Sequence, residues 1–372
     1  MTDSQILGSS SGPVVKAAYW FPDGETKPTG SVIPQSSAIL IDSTLFTHLF
    51  CAFADLDLET HRVFIPQRHE YEFSTFTEIV RQKNHNVKTL LSIGGKKTDN
   101  KFAFASMASN RTSRESFISS SISIARSLGF YGLDLAWEYP NNDVEMNNFG
   151  KLLQEWRSAV EVESQRTGIR PLLLTAAVYY TSDYNSVSYP VQAINRSLDW
   201  VNLIAYEFYG LTTEIGPPAG LYDPSKKGPC GDTGLKHWLK AGLPEKKAVF
   251  GFPYVGWSWT LDDDKDHGDD VAVTHRVAVT ANGSINYDQI VKFITEYKAR
   301  TVYDSEVVGY YCIAGTTLIG YDDIQSVVTK VIYTKHKGLL GYYAWNVGAD
   351  DVSRLSRAAS QAWGNTEASG GE

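Results

Sequence analysis

YGLDLAWEYP, residues 131–140, places acids at Asp134 and Glu138 with Ala136 midway between them. The stretch reads as a strand running into a turn. Side chains alternate between the two faces of a strand, so Asp134, Ala136 and Glu138 share one face and Leu133, Leu135 and Trp137 the other. The apolar set suits packing against helices, which leaves a polar file on the opposite side. An inward carboxylate costs desolvation energy unless something pairs or uses it. The acids therefore read either as satisfied core or rim groups or as working ones, and function is the stronger reading.

Working outward, β-rich runs recur at 14–20, 45–56, 86–95, 129–138, 170–178, 199–206, 247–254 and 337–345, each followed by a segment of helical period. Between the fourth and fifth, Phe149, Leu152, Leu153, Trp156 and Val160 fall on one helix face. Buried strands alternating with amphipathic helices imply a parallel sheet, and eight such units imply a closed (β/α)8 TIM barrel. A doubly wound open sheet is the structural rival. In a barrel, sites collect at the C-terminal ends of the strands, which puts Glu138 at the mouth. The last strand comes late: VAVTHRVAVT (271–280), the helix-like 287–300 and VVGYYCIAG (307–315) suggest a small α+β insertion between strands seven and eight. The expected division is a flexible tail at 1–12, a barrel from 13–260 and 331–364, an insertion at 261–330, and a second tail at 365–372.

With 372 residues, 42% apolar and 20% charged, the chain can bury a large core. A net charge of −8 without a Lys/Arg run argues against nucleic acid and anionic membrane as partners. No run approaches the roughly 20 apolar residues that span a bilayer. Cys51, Cys230 and Cys312 lie far apart and outside any metal-ligand spacing, leaving at most one bridge open. Eight scattered histidines give no metal site, and no cofactor is expected. The run DDDKDHGDD (262–270) fails the calcium-loop template and reads as a solvated acidic turn. Asn110, Asn195 and Asn282 open sequons that weigh little. MTDSQILGSSSGPVV lacks the basic and apolar regions of a secretory signal, so a mature or engineered form, or a cytosolic protein, is expected.

At this point the residues resemble a known family. GLDLAWEYP is similar to the Asp-x-Asp-x-Glu signature of glycoside hydrolase family 18. KAAYWF, DSTLFTHLFCAFADL, KTLLSIGG, LDWVNLIAYEFYG, GLLGYYAW and LSRAASQAWG extend the resemblance to plant class V chitinases and chitinase-like proteins over nearly the whole chain. The resemblance implies the barrel fold, β-1,4-linked N-acetylglucosamine oligomers or chitin as ligand, a monomer, and an extracellular or vacuolar place. It also implies substrate-assisted retaining hydrolysis, in which the sugar's own N-acetyl oxygen attacks the anomeric carbon. Glu138 matches the general acid, Asp134 the first Asp, and Tyr206 the tyrosine that supports the acetamide carbonyl. Trp345 matches the tryptophan that floors the subsite.

Two departures fall on groups that handle the acetamide. The middle Asp of the signature is Ala136, and the Asp usual between Tyr and Phe in AYEFYG is Glu207. Tyr19 with Trp20, Tyr254 and Trp257 stand where a sugar platform would be, although aromatics at such places are commonly core. In GFPYVGWSW, Val255 and Trp257 replace tyrosines common in plant relatives. The expectation is a chitinase-type enzyme with impaired turnover. The alternatives are a chitinase-like lectin, an engineered change at Ala136, or a new reaction on the same barrel.

Overall fold

The computed structural model describes residues 14–22, 37–96, 100–209, 214–261 and 283–364. The expected tails, the acidic turn at 262–270, the expected strand at 271–280 and Asn282 lie outside the described residues.

Strands β1 (Val15–Trp20) and β2 (His48–Leu56) pair in parallel, and β3 (Val63–Phe64) adds a short antiparallel piece to the end of β2. The barrel continues through β4 (Lys88–Gly94), β5 (Gly132–Ala136) and β6 (Leu173–Tyr179). A hairpin of β7 (Asp183–Tyr184) and β8 (Val187–Ser188) precedes β9 (Trp200–Ile204) and β10 (Ala248–Pro253). Then β11 (Val255–Thr260), β12 (Ser284–Asn286), β13 (Arg300–Asp304), β14 (Gly309–Ala314) and β15 (Thr317–Tyr321) form a separate antiparallel sheet. Strand β16 (Gly341–Trp345) returns to the barrel. Parallel pairing runs β1, β16, β10, β9, β6, β5, β4, β2, and β2 pairs again with β1. The sheet closes on itself as the expected eight-stranded barrel, which removes the open-sheet rival.

Helix α1 (Glu70–Lys83) follows β2, and both α2 (Asn100–Ser109) and α3 (Arg111–Ser127) follow β4. Next come α4 (Asp143–Thr167), α5 (Val191–Ser197) and α6 (Gly231–Lys240), after β5, the hairpin and β9. Between β1 and β2 the described residues hold only two single-turn 3-10 pieces. Helix α4 shows why the pattern works. Asn142 caps it by accepting from the Glu145 amide, Gly168 ends it at φ 71°, and Phe149, Leu152, Leu153, Trp156 and Val160 are each at most 1% exposed. Burying each such side chain is worth about 1.5–3 kcal/mol before chain entropy is counted. They pack in the same outer core as Leu133, Leu135 and Trp137. The opposite strand face fills the barrel, where Tyr19, Ala136, Ala177, Tyr206 and Tyr343 belong to a second, inner cluster.

The insertion is a five-stranded sheet in the order β12, β11, β15, β14, β13, with α7 (Tyr287–Tyr297) beside it. Helix α7 stops short of the expected 300, because Lys298 takes a left-handed φ of 52° and the chain enters β13. Val255–Thr260, expected in the barrel, pairs instead with β12 and β15. Helix α8 (Ile324–His336) and α9 (Arg354–Trp363) complete the outer layer. The expected insertion limits of 261 and 330 therefore move to 255 and about 322. A fully buried Asp322–Lys330 ion pair at 2.6 Å anchors the exit, with the Lys330 ammonium also donating to the Ala219 carbonyl.

Candidate active site

The polar file of β5 begins deep in the barrel. Asp134 is fully buried, and its carboxylate accepts from Thr175 Oγ1 at 2.6 Å, Ser92 Oγ at 2.7 Å and Tyr19 Oη at 2.9 Å, with Asn202 Nδ2 at 3.5 Å. Strand register explains the convergence: Ser92 of β4 and Thr175 of β6 are the direct partners of Asp134. Asn202 also donates to Tyr19 Oη at 2.9 Å and accepts from Trp200 Nε1 at 3.0 Å. Burial raises the Asp134 carboxyl above its usual range, and the bonds from Thr175, Ser92 and Tyr19 pull against that rise.

One layer higher, Ala136, Glu138, Tyr19, Tyr206, Tyr343 and Trp345 line a chamber of about 70 Å³ together with Phe53, Lys96 and Glu207. Six of these, Tyr19, Ala136, Glu138, Tyr206, Glu207 and Trp345, were expected at a site from the sequence, and the structure brings them together. The Tyr206 hydroxyl lies 3.1 Å from that of Tyr343, which is 3.2 Å from the Leu203 carbonyl oxygen. Burial, first, and then Tyr343 and the nearby glutamates hold the Tyr206 hydroxyl well above its ordinary value, so it stays neutral and able to donate. Trp345 is partly buried, with ring centroids 5.7 Å from Phe21 and 5.8 Å from Phe53.

A second cavity of about 360 Å³ adjoins the first, sharing Lys96, Glu138, Ile204, Tyr206 and Glu207. Its far wall is aromatic: Tyr139, Tyr179 and Tyr184 stand with ring centroids 4.9–5.2 Å apart. Lys96 ion-pairs with Glu207 where the two spaces meet. Local backbone sets both residues. Gly94 turns β4 outward at φ 117°, where a Cβ would lie 2.4 Å from the Ala136 carbonyl oxygen, and Gly95 donates to that same oxygen at 2.9 Å. Glu207 takes a left-handed φ of 62° just after β9.

Tyr254 and Trp257 do not line either cavity. They are 1% and 4% exposed within the outer core. Trp20 is likewise an outer-core residue, stacked on Phe76 at 4.9 Å. Lys96, Phe53, Tyr343, Ser92, Thr175 and Asn202 were not singled out from the sequence. Counting back by twos from Trp345 and from Tyr206 reaches Tyr343 and Asn202, so alternation carried a signal for part of this set. Larger spaces lie elsewhere, including an open groove of about 900 Å³ between α3 and α4 and a cavity of about 610 Å³ between the insertion and residues 215–220. Neither includes Glu138. Among the described residues there is no cluster fit for a metal ion, all three cysteines are free and buried, and no helix is long and apolar enough to cross a membrane.

The glycosyl hydrolases family 18 model matches residues 15–350. A class V chitinase of Arabidopsis thaliana is 58% identical over 357 residues, spanning 95% of this chain and 91% of that protein. A class V chitinase mutant from Nicotiana tobaccum in complex with NAG4 superposes with a TM-score of 0.87 at 44% identity, covering 95% of this chain and 99% of the other. A chitinase-like agglutinin from Robinia pseudoacacia gives 0.83 at 40% identity, covering 94% and 100%. Relatives named for hydrolysis and for agglutination thus share this scaffold. A family match over this span, on a closed barrel with Glu138 at its mouth, places the chain in glycosyl hydrolase family 18.

Proposed function

We propose that the chain binds β-1,4-linked N-acetylglucosamine oligomers at the barrel mouth and hydrolyses them slowly, with retention, through Glu138. The observation that carries this reading is the convergence of Glu138, Tyr206 and Trp345 on one chamber at the strand ends. In the proposed reaction the Glu138 carboxyl gives its proton to the glycosidic oxygen as that bond breaks. The carbonyl oxygen of the sugar's own acetamide attacks the anomeric carbon, so no protein nucleophile is required. Water then displaces the acetamide oxygen at that carbon, which restores the acetamide, and returns a proton to the Glu138 carboxylate. Tyr206 stays protonated and donates to the acetamide oxygen. Ala136 offers a methyl group where a carboxylate would hold the acetamide N–H, so the internal nucleophile is poorly aligned and the rate is low.

A lectin without turnover is the second reading, and the Lys96–Glu207 pair favours it. That pair stands beside a chamber of about 70 Å³, well below the roughly 300 Å³ at which ligand pockets begin. A sugar entering there must displace it. Incubation with N-acetylglucosamine tetramers to hexamers, with binding measured by calorimetry and products by anomer-resolving chromatography, tests both. Binding with slow release of β-anomeric products is expected. Binding without product leaves the lectin, and absence of binding overturns both readings.

A further inference from the structure

We infer that the 360 Å³ cavity beside Glu138 is a subsite for a protonated amino group on a partly de-N-acetylated oligomer, which replaces the Lys96 ammonium against Glu207. The inference rests on the proposed binding of amino-sugar oligomers and specifies which of their units this cavity selects. The cavity's lining is acidic and aromatic. Glu138 and Glu207 supply two carboxylates, and among the described lining residues Lys96 is the one cation set against them. Tyr139, Tyr179 and Tyr184 line the same space, their rings packed edge-on or tilted against one another. Rings of this kind attract a cation through their quadrupoles, most strongly where water is thinned out.

Lys96 already shows what the place prefers. Burial works to lower the pKa of its ammonium, yet Glu207 first and Glu138 next hold it above the ordinary lysine value. The chain thus keeps a cation of its own where a ligand's cation would go. The arrangement is exchangeable, because the Lys96 and Glu207 side chains are 49% and 28% exposed. Ion pairs this open contribute little, and releasing the lysine returns rotamer freedom to its long stem. A sugar amine delivered by an oligomer already held at Trp345 exchanges for it at high effective concentration.

The neighbouring chamber reinforces the preference. An N-acetylated unit finds Ala136 where its N–H needs an acceptor, and the space there is only about 70 Å³. An unacetylated unit needs neither the acceptor nor the room for an acetyl group. Glu207 also holds a left-handed backbone, which is uncommon for a residue with a side chain and is found more often at functional positions.

The test is calorimetry of the full chain with fully acetylated and fully de-N-acetylated glucosamine tetramers, below the amine's pKa and at two salt concentrations. The amino tetramer is expected to bind roughly three- to tenfold tighter than the acetylated one, with the margin shrinking as salt rises. Glu207→Gln, which keeps the side chain's shape, removes the margin. Lys96→Met widens it, because the built-in competitor is gone. Binding of the acetylated tetramer with no margin for the amino one overturns this inference and leaves the proposed function standing. A margin that survives Glu207→Gln also overturns it, since the net charge of −8 then explains the preference without a subsite. Binding of neither tetramer overturns this inference and the proposed function together.

Discussion

Asp134 and Glu138 belong to one file of side chains, yet the first is sealed in the barrel and the second stands at its rim. Asp134 is 0% exposed and meets donors from four strands, β1, β4, β6 and β9. Glu138 borders two cavities with Lys96 and Glu207. Ala136 lies between them, buried and with no polar atom in its side chain. The contrast separates the positions of the file that the fold itself holds from those it leaves open. Removing Asp134 would orphan several buried hydroxyls, whereas a methyl group at 136 orphans nothing, so the fold exerts no pressure to keep an acid there.

The largest expected effect follows from that difference. Asp134→Ala leaves Thr175, Ser92 and Tyr19 without their common acceptor and should cost about 3–5 kcal/mol of stability, read as a drop in the urea midpoint. Glu138→Gln should cost under about 1 kcal/mol in the same measurement. Equal losses would break the division between sealed interior and rim. Next comes the addition of an acid near the rim. Ala136→Asp should raise hydrolysis of N-acetylglucosamine hexamers at least about tenfold. The double variant with Glu207→Asp should gain more than the two single changes combined, toward the 10²–10³ typical of preorganised groups. Glu138→Gln placed on top should abolish the gain. A double variant that binds hexamers and releases nothing would fix the lectin reading.

Much of this was legible because packing has a period. The eight barrel strands announced themselves as short β-rich runs, and the inward face of β5 followed from counting by twos. Lys96 escaped because an exposed lysine after Gly94 and Gly95 has no periodic signature, and its partner lies 111 residues away. Val255–Thr260 misled for a different reason. Only Tyr254 separates β10 in the barrel from β11 in the insertion sheet, and alternation continues across the junction while the sheet changes. Tyr254 and Trp257 were drawn into the expected site by the same continuity. Their burial in the outer core reflects pairing partners that lie far along the chain.

Aromatic residues sharpen the comparison at smaller scale. Trp345 is partly buried and lines the chamber, whereas Tyr254 is 1% exposed and does not. Trp345→Ala should weaken binding of acetylated tetramers by about 1–3 kcal/mol through lost stacking area, measured by calorimetry. Tyr254→Ala should instead lower the urea midpoint. Unchanged affinity in Trp345→Ala would remove the barrel mouth as the ligand site.

The smallest effect belongs to the foot of the barrel, where His48 begins the second strand. It is 5% exposed, its Nδ1 lies 2.8 Å from Thr47 Oγ1, and its ring meets Trp200 edge-on at 5.0 Å. Burial first, and the Lys88 charge second, lower its pKa from 6.5 to about 3. The folded protein therefore keeps His48 neutral while the unfolded chain takes up a proton. The stability tied to this group is fully present above pH 6.5 and is lost as pH falls toward 3. At pH 5.5 the loss amounts to about 1.4 kcal/mol. Buried Asp134, Asp322 and Asp350 have raised pKa values and act in the opposite sense, because their protonation relieves a burial cost. A variant that lacks only this imidazole isolates the histidine from them between pH 6.5 and 5.5. Urea unfolding of the parent and of His48→Gln across that window should show the variant losing about 1 kcal/mol less. Parallel losses in the two proteins would mean that His48 is not sealed, and that the contrast between interior and rim does not extend to the barrel's foot.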